Sequence, residues 1–183
     1  MAPFPKGQYA IIYCDPPWSY RNKSSRAAAE NHYPTMTLSD LGALPVPDLG
    51  AEDCYLFMWA TPPMIFEALT LMGAWGFEYK TTAFSWVKQN KDGSIFKGLG
   101  NYTRSNMEMC LLGRRGKILE RNDKSVGSVV LSPRLRHSQK PQEVADRIVQ
   151  LYGDVPRIEL FARDRKPGWD TWGNEVLAAT PED

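Results

Sequence analysis

The sequence lacks the features that mark membrane, secreted or metal-binding proteins. None of its apolar runs approaches the ~20 residues that a transmembrane helix needs. The first residues do not have the basic and then apolar layout of a signal peptide. Three cysteines, Cys14, Cys54 and Cys110, are an odd number without C-x-x-C spacing, so neither a disulfide framework nor a zinc site is expected. We therefore predict a cytoplasmic protein with buried, reduced thiols, no metal site and no membrane association.

A strong net charge is also absent. The 22 Lys and Arg residues nearly balance 21 Asp and Glu residues, and the formal net charge of +1 gives no global field that would attract a polyanion. Positive charge is nevertheless concentrated in residues 88–104, 114–124 and 134–140, whereas acidic residues gather within 40–53. A neutral protein with a basic face can bind phosphates. The charge pattern alone fits solvated loops equally well.

Apolar runs and turn residues alternate in a way that predicts an α/β fold. Short β-rich runs are separated by segments with helical periodicity, and prolines mark the ends or starts of several helices. This order predicts a single domain over residues 1–183, built as a three-layer α/β sheet with mostly parallel strands. The predicted strands are 9–14, 54–60, 79–88, 106–112, 127–131, 157–162 and 170–172, and the predicted helices are 37–44, 62–74 and 141–152.

Two polar segments without clear periodicity lie between these elements. Residues 22–34 and the glycine-rich, basic stretch 89–104 have the length of loops that usually serve a function. Sheets of this kind bind ligands at the carboxyl ends of their strands. The polar residues that follow Cys14 and Ala162 are therefore expected at a ligand-binding edge.

The tetrapeptide Asp15-Pro16-Pro17-Trp18 is the most distinctive feature of the chain. Its two prolines fix φ and remove two backbone donors, which leaves a stiff turn with outward-facing carbonyl groups. An exocyclic amine on a flat ring has two N–H donors. The aspartate oxygen and a proline carbonyl can each accept one of them while the indole stacks on the ring, so that the nitrogen lone pair is directed toward an electrophile. A plain strand-terminating turn is the alternative interpretation.

Eight motifs follow one another along the chain. They are CDPPW at 14–18, YPTM at 33–36, LFMWAT at 56–61, WVK at 86–88, RSNMEMCLLG at 104–113, HSQKP at 137–141, ELFAR at 159–163 and GWDTWGNE at 168–175. In these motifs and in their order, the sequence resembles the MT-A70-like family of adenine methyltransferases, whose members include bacterial and phage DNA enzymes and a eukaryotic messenger-RNA enzyme. The resemblance extends from about Tyr9 to Glu175.

The resemblance implies a Rossmann-like methyltransferase fold in permuted order, with the catalytic motif before the cofactor motif, and S-adenosylmethionine as the cofactor. Lys140 would meet the methionine carboxylate of the cofactor, and Arg163 would contact its ribose region. Without the family, Lys140 and Arg163 could simply be solvated charges. The implied catalytic residues are Asp15, Pro16, Pro17 and Trp18, and the implied cofactor-binding residues are Asp15, Ser138, Lys140, Phe161, Arg163, Asn174 and Glu175.

The same resemblance implies a set of residues around the target base. Core packing is a serious alternative for its aromatic members. Three further tryptophans, Trp59, Trp169 and Trp172, are expected in the core or in a pocket wall. The implied substrate-binding residues are Trp18, Tyr33, Trp86, Arg104, Asn106 and Glu108.

The expected reaction is direct displacement, in which the 6-amino group of adenine takes the methyl group without a metal or a cysteine nucleophile. Nucleic acid is the expected partner, and a homodimer or a partner subunit is left open. DNA is favoured because no residue pattern recognisably reads a 2′-hydroxyl and the chain looks like a bacterial or phage member of the family. An RNA adenine methyltransferase and a non-catalytic nucleic-acid-binding subunit are the alternatives.

Overall fold

The computed structural model describes residues 3–19, 35–134 and 139–176. Within these residues, seven strands form one sheet in the order β5-β3-β4-β2-β1-β6-β7. The strands are β1 (Tyr9–Cys14), β2 (Gly50–Ala60), β3 (Glu78–Gln89), β4 (Met107–Arg115), β5 (Val129–Pro133), β6 (Arg157–Leu160) and β7 (Asp170–Trp172), and the α-helices are α1 (Leu38–Gly42), α2 (Ile65–Ala74) and α3 (Gln142–Tyr152).

The sheet is mostly parallel, as predicted. β1 pairs in parallel with β2 and β6, β6 pairs in parallel with β7, and β3 pairs in parallel with β5. β4 pairs antiparallel with both β2 and β3 and is the one described strand that runs in the opposite direction. The carboxyl ends of the other six strands therefore meet at one edge of the sheet, together with the amino end of β4. We call this the carboxyl edge.

Helices cover both faces of the sheet, which confirms the three-layer, Rossmann-like architecture. Alternate residues of β1 point to opposite faces, so that Ile12 packs in the core beneath α1 and α2 while Ile11 packs in the core beneath α3. The amphipathic α3 buries Val144, Ala145 and Ile148 in the second of these cores. Burying the larger two of these side chains, Val144 and Ile148, contributes about 1.5–3 kcal/mol each.

Two of the three helices begin within one residue of their predicted starts, whereas α2 begins at Ile65 because Pro62–Met64 form a 3-10 turn before it. Thr37 caps α1 through a capping box, in which its hydroxyl accepts from the Asp40 N–H at 3.1 Å. Pro141 stands at the N-cap of α3, just before its first turn. None of the helices in the described parts of the chain is long and apolar enough to cross a membrane.

Several strand ends differ from their predicted positions: β4 extends to Arg115 and not to 112, and β5 covers Val129–Pro133 and not 127–131. Two further differences have local reasons. β2 begins at Gly50 and not at 54, because its polar first residues carry no apolar signal yet still extend the sheet. β6 ends at Leu160 and not at 162, because Phe161 adopts a left-handed conformation with φ of 59° that breaks the strand.

The cysteines agree with the sequence prediction of buried thiols. Cys14, Cys54 and Cys110 are all buried and unpaired with one another. Burial raises the pKa of the Cys54 thiol to about 12 and the pKa values of the other two well above the usual range. Thiols held neutral in this way are poor nucleophiles.

Candidate active site

A pocket of about 220 Å³ opens at the carboxyl edge, where β1, β6 and β7 end. It brings together seven residues that the sequence predicts for the site. The remaining wall is formed by small and apolar groups. The predicted residues in the wall are Asp15, Pro16, Pro17, Phe161, Arg163, Asn174 and Glu175, and the others are Thr35, Met36, Ala162, Trp172 and Gly173.

Two chain segments, one after β6 and one after β7, lie close together and form the floor of this pocket. The Ala162 N–H donates to the Trp172 carbonyl at 2.9 Å, just beyond the ends of β6 and β7. A Cβ atom at Gly173 would lie 2.1 Å from the Ala162 carbonyl oxygen, so only glycine fits there. The left-handed turn at Phe161 then carries the chain past the sheet edge to Arg163 in the pocket wall.

The Asp15-Pro16-Pro17 turn is held by two backbone hydrogen bonds. The Trp18 N–H donates to the Pro16 carbonyl at 2.8 Å, and the Met36 N–H donates to the Pro17 carbonyl at 2.9 Å. Each carbonyl oxygen has two lone pairs, so each can accept one further donor from a ligand. The stiff turn expected from the sequence is present, and its carbonyl groups also serve the fold.

Trp18 itself points into the protein. Its side chain is 5% exposed and packs in the core beneath α1 and α2, and its indole N–H points at the Trp59 carbonyl at 3.4 Å. Stacking of this indole on a base stays a prediction.

A chain of ion pairs runs from the pocket along the carboxyl edge. Lys140, beside the first turn of α3, places its Nζ 2.6 Å from Asp15 Oδ2 and 3.2 Å from Glu108 Oε2. Lys88, at the end of β3, places its Nζ 2.5 Å from Glu108 Oε1. All four side chains are largely buried, with Asp15 the most exposed at 29%. We call these four residues the ionic chain.

Burial and pairing set the charge states of the ionic chain. Burial raises the pKa of Asp15 above its ordinary value, although the Lys140 ammonium acts in the opposite direction. Burial also acts to raise the pKa of Glu108, but Lys140 and Lys88 outweigh it, so the pKa of Glu108 is lowered. The two carboxylates raise the pKa of Lys140 against the effect of burial. Glu108 and Lys140 therefore stay charged, whereas Asp15 is the member most easily protonated.

A second cavity of about 100 Å³ adjoins the pocket and shares Asp15, Phe161 and Arg163 with it. Its wall includes Lys140 and the buried ion pair of Lys166 with Glu159. Burial raises the pKa of Glu159. Together the two cavities reach the lower end of the ~300–1,000 Å³ typical of small-molecule sites.

Sequence analysis missed three charged residues at this edge. Lys88, Glu159 and Lys166 lie in or beside quoted motifs but have no predicted role. Trp86 stands opposite Glu108 in the antiparallel β3–β4 pair, so Lys88, two residues on, reaches the same carboxylate diagonally. The contact between Lys88 and Glu108 depends on the β3–β4 register, which cannot be read from the sequence alone.

The predicted substrate-binding residues are not gathered in one pocket. Trp86 is 3% exposed, donates its indole N–H to the Ser132 carbonyl at 3.2 Å and packs edge-on against Trp59. Arg104 is exposed on the loop between β3 and β4, and Asn106 is half-buried at the base of that loop. Tyr33 and Ser138 lie outside the described residues.

The donor set fits a ligand that combines an amine, hydroxyl groups and a flat ring. Asp15 and Glu175 offer carboxylate acceptors, and Asn174 offers both a donor and an acceptor. Arg163 lies between the cavities, with its Nε 3.7 Å from Glu175 Oε1. The Phe161 and Trp172 rings, 5.5 Å apart, supply an apolar wall against which a flat ring can pack.

Comparisons with known proteins find related sequences over nearly the whole chain. A protein-family model described as MT-A70 matches residues 9–175. The Type II methyltransferase M.MunI from Mycoplasma sp. is 38% identical over 94% of this chain and 79% of its own length. The mouse N(6)-adenine-specific methyltransferase METTL4 is 32% identical over 92% of the chain and 38% of its own length. The human N(6)-adenosine-methyltransferase catalytic subunit METTL3 is 29% identical over 93% of the chain and 28% of its own length.

Proposed function

The chain belongs to the MT-A70 family, and from this premise we propose that it transfers a methyl group from S-adenosylmethionine to the 6-amino group of adenine in DNA, at specific sites. The observation that carries the proposal is the position of the Asp15-Pro16-Pro17 turn, which forms one wall of the main pocket and places Asp15 at the second cavity too. A carboxylate at this junction can contact both a bound methyl donor and an incoming base.

The preference for DNA rests on the pattern of similarity. The Type II methyltransferase is more similar to this chain than the adenosine methyltransferase, and its alignment covers most of both proteins. The chain spans only about a third of the length of the eukaryotic relatives. RNA adenine is the second candidate, favoured by the adenosine methyltransferase match.

Residues of the two cavities would hold the methyl donor. Asn174 and Glu175 would bind hydroxyl and ring-edge groups, and the Phe161 and Trp172 rings would pack beside the adenine of the cofactor. A carboxylate in the second cavity would lie beside the ammonium group of Lys140, which lines that cavity. When bound, the cofactor supplies an electrophilic methyl group.

The turn would orient the target amine. The Asp15 carboxylate and the second lone pair of the Pro16 carbonyl would accept the two N–H groups of the base, which directs the nitrogen lone pair toward the methyl carbon. As the carbon–nitrogen bond forms and the carbon–sulfur bond breaks, the nitrogen must lose a proton. Asp15 is suited to accept it because burial raises its pKa.

Nucleic acid is the partner that this chemistry requires, and a duplex must release the target base from its stack before the base can reach Asp15. We propose that residues 1–183 act as one methyltransferase domain in the cytoplasm. The buried thiols favour a route without a covalent cysteine intermediate.

Expression in a host without adenine methylation tests the proposal directly. Sequencing of the host DNA by a method that detects modified bases should find 6-methyladenine at one short recognition sequence. A matched culture that expresses the Asp15→Ala variant should show none. Unmodified DNA together with methylated host RNA would reverse the choice of substrate.

Thermal denaturation with S-adenosylmethionine separates an enzyme from a non-catalytic subunit. Ligand that binds only the folded protein raises the melting temperature, and the rise grows with the logarithm of the ligand concentration once that exceeds the dissociation constant. We expect a clear rise for the wild-type protein and a smaller rise for an Arg163→Ala variant. A non-catalytic subunit that has lost its cofactor site would show no rise.

A further inference from the structure

The β3–β4 loop, residues 90–106, combines exposed apolar and cationic side chains in an ordered structure. Tyr102 is fully exposed and Leu99 is 84% exposed. Lys97 and Arg104 are exposed on the same loop, and Asp92 is its single acidic residue. Large apolar side chains displayed together with cations mark a binding surface more often than a solvated loop.

Hydrogen bonds fix the base of this loop. The Phe96 N–H donates to the Lys88 carbonyl and the Lys88 N–H donates to the Asn106 carbonyl, both at 2.8 Å. The Arg134 guanidinium stacks 3.5 Å above the Phe96 ring. The loop therefore leaves the sheet in a defined direction.

The outer part of the loop is also tightly folded. The Gly98 N–H donates to the Ser105 carbonyl at 2.9 Å. A Cβ atom at Gly98 would lie 2.3 Å from the Ser105 carbonyl oxygen, and one at Gly100 would lie 2.0 Å from the Thr103 carbonyl oxygen. Both glycines are needed for this crossing of the chain, and Leu99 and Tyr102 extend from its tip.

The base of the loop lies next to the candidate active site. Lys88 begins the ionic chain that passes through Glu108 and Lys140 to Asp15. A nucleic acid whose base reaches Asp15 and whose strands extend along the ionic chain would meet the loop. Asp92, which is exposed, accepts hydrogen bonds from the Ser94 N–H and hydroxyl, and the loop's Lys91, Lys97 and Arg104 outnumber it, so the net charge of the loop favours a phosphate backbone.

Resting on the proposed function, we propose that the tip of the β3–β4 loop is a wedge that enters duplex DNA beside the target adenine, with Tyr102 filling the space of the extruded base and Lys97 and Arg104 binding phosphates. Proteins that unstack a duplex insert apolar side chains between base steps in this way. The loop exposes three large apolar side chains, Ile95, Leu99 and Tyr102, and three side chains among cations are too small a patch for a stable protein interface, which buries about 1,200–2,000 Å².

The test compares methyl transfer to duplex DNA and to the same DNA after heat denaturation. Labelled S-adenosylmethionine and genomic DNA from a methylation-free host supply the substrates without knowledge of the recognition sequence. The variants are Tyr102→Ala, Tyr102→Phe as the conservative change, and Tyr79→Ala as a control. Tyr79 is a 44% exposed tyrosine near the amino end of β3, at the opposite edge of the sheet.

We expect the Tyr102→Ala rate on duplex DNA to fall roughly tenfold or more, because the variant must open the stack without a replacement ring. Its rate on denatured DNA should change less than about twofold, since a single strand needs no wedge. Tyr102→Phe and Tyr79→Ala should match the wild type on both substrates. An unchanged melting temperature would confirm that Tyr102→Ala folds.

Equal loss on both DNA forms, or no loss on duplex DNA, would overturn the wedge while leaving the proposed function intact. If the wild-type protein methylates neither duplex nor denatured DNA, the proposed function and the wedge are both overturned.

Discussion

The two ends of β3 carry similar side chains in different surroundings. At the amino end, Lys80 lies 2.6 Å from Glu78, and Tyr79 stands between them. At the carboxyl end, Lys88 lies 2.5 Å from Glu108, and Trp86 lies below the ammonium at 5.0 Å. The Glu78 side chain is 73% exposed, whereas that of Glu108 is 11% exposed.

This difference separates a surface ion pair from part of a site. Exposed pairs are screened by water and contribute little to stability. A buried pair must be satisfied on all sides, and Glu108 is satisfied only because Lys140 continues the chain of charges to Asp15. Both ends of β3 have a lysine–glutamate pair. The pair at the carboxyl end indicates function because it is buried and because Lys140 connects it to Asp15.

The largest expected effect breaks the ionic chain where it meets the pocket. Asp15→Asn keeps the shape of the side chain but removes the charge and the proton acceptor, so kcat should fall about 100- to 1,000-fold. Calorimetry should show that S-adenosylmethionine still binds. In the wild type, the acid limb of the kcat/KM profile should lie above the pH at which an ordinary aspartate titrates, because burial raises the pKa of Asp15.

A second variant tests the burial of Glu108. Glu108→Gln leaves two lysines without their shared carboxylate, and removal of one partner from a buried ion pair typically costs about 3–5 kcal/mol of unfolding free energy. Urea unfolding at neutral pH measures the loss. The lowered pKa of Glu108 means that its stabilising contribution is present above its unfolded pKa and is lost as pH falls through the lower folded value. Glu78→Gln is the matched control and should unfold like the wild type.

Lys88→Met and Lys80→Met compare the two lysines directly. Without Lys88, Lys140 is the one cation left beside Glu108 in the ionic chain and is drawn toward it, away from Asp15. Both carboxyl groups are then stabilised less as anions, so the pKa values of both should rise. The acid limb of the pH–rate profile should then shift to higher pH, and kcat at neutral pH should fall roughly tenfold. Lys88→Arg should restore most of the activity. The comparison fails if Lys80→Met moves the profile as much as Lys88→Met.

The smallest expected effect concerns the loop beyond the carboxyl end. Arg104→Gln should weaken DNA binding a few-fold and reduce the slope of log Kd against log salt by about one phosphate contact. Fluorescence anisotropy over a range of salt concentrations measures the slope. Lys80→Met should leave the slope unchanged, because Lys80 lies at the other edge of the sheet. Identical slopes for Arg104→Gln and the wild type would show that Arg104 does not contact a DNA phosphate.

The pocket could be predicted largely from sequence because its residues follow strand ends. Asp15 and Arg163 come directly after apolar runs, and parallel strands bring such positions to one edge. Asn174 and Glu175 follow the short β7, and only the family resemblance indicated them. The site around the ionic chain could not be predicted in the same way. Lys88 reaches Glu108 only through the β3–β4 register, which contains two shifts between Tyr79 and Phe84 that no local pattern encodes.

Trp18 shows a second limit of sequence reasoning. An aromatic side chain after a proline turn can face a ligand or the core, and its hydrophobicity favours either place. In this fold the parallel bridge between Trp18 and Met36 and the position of Trp59 direct the indole inward. That choice depends on tertiary packing across distant segments.

The most direct test of the account is the identity of the methylated nucleoside. Purified protein is incubated with S-adenosylmethionine and with either duplex DNA or RNA, and the products are digested to nucleosides and analysed by mass spectrometry. We predict 6-methyldeoxyadenosine from DNA with the wild type and none with Asp15→Asn. Methylation of another base, or of RNA alone, would contradict it.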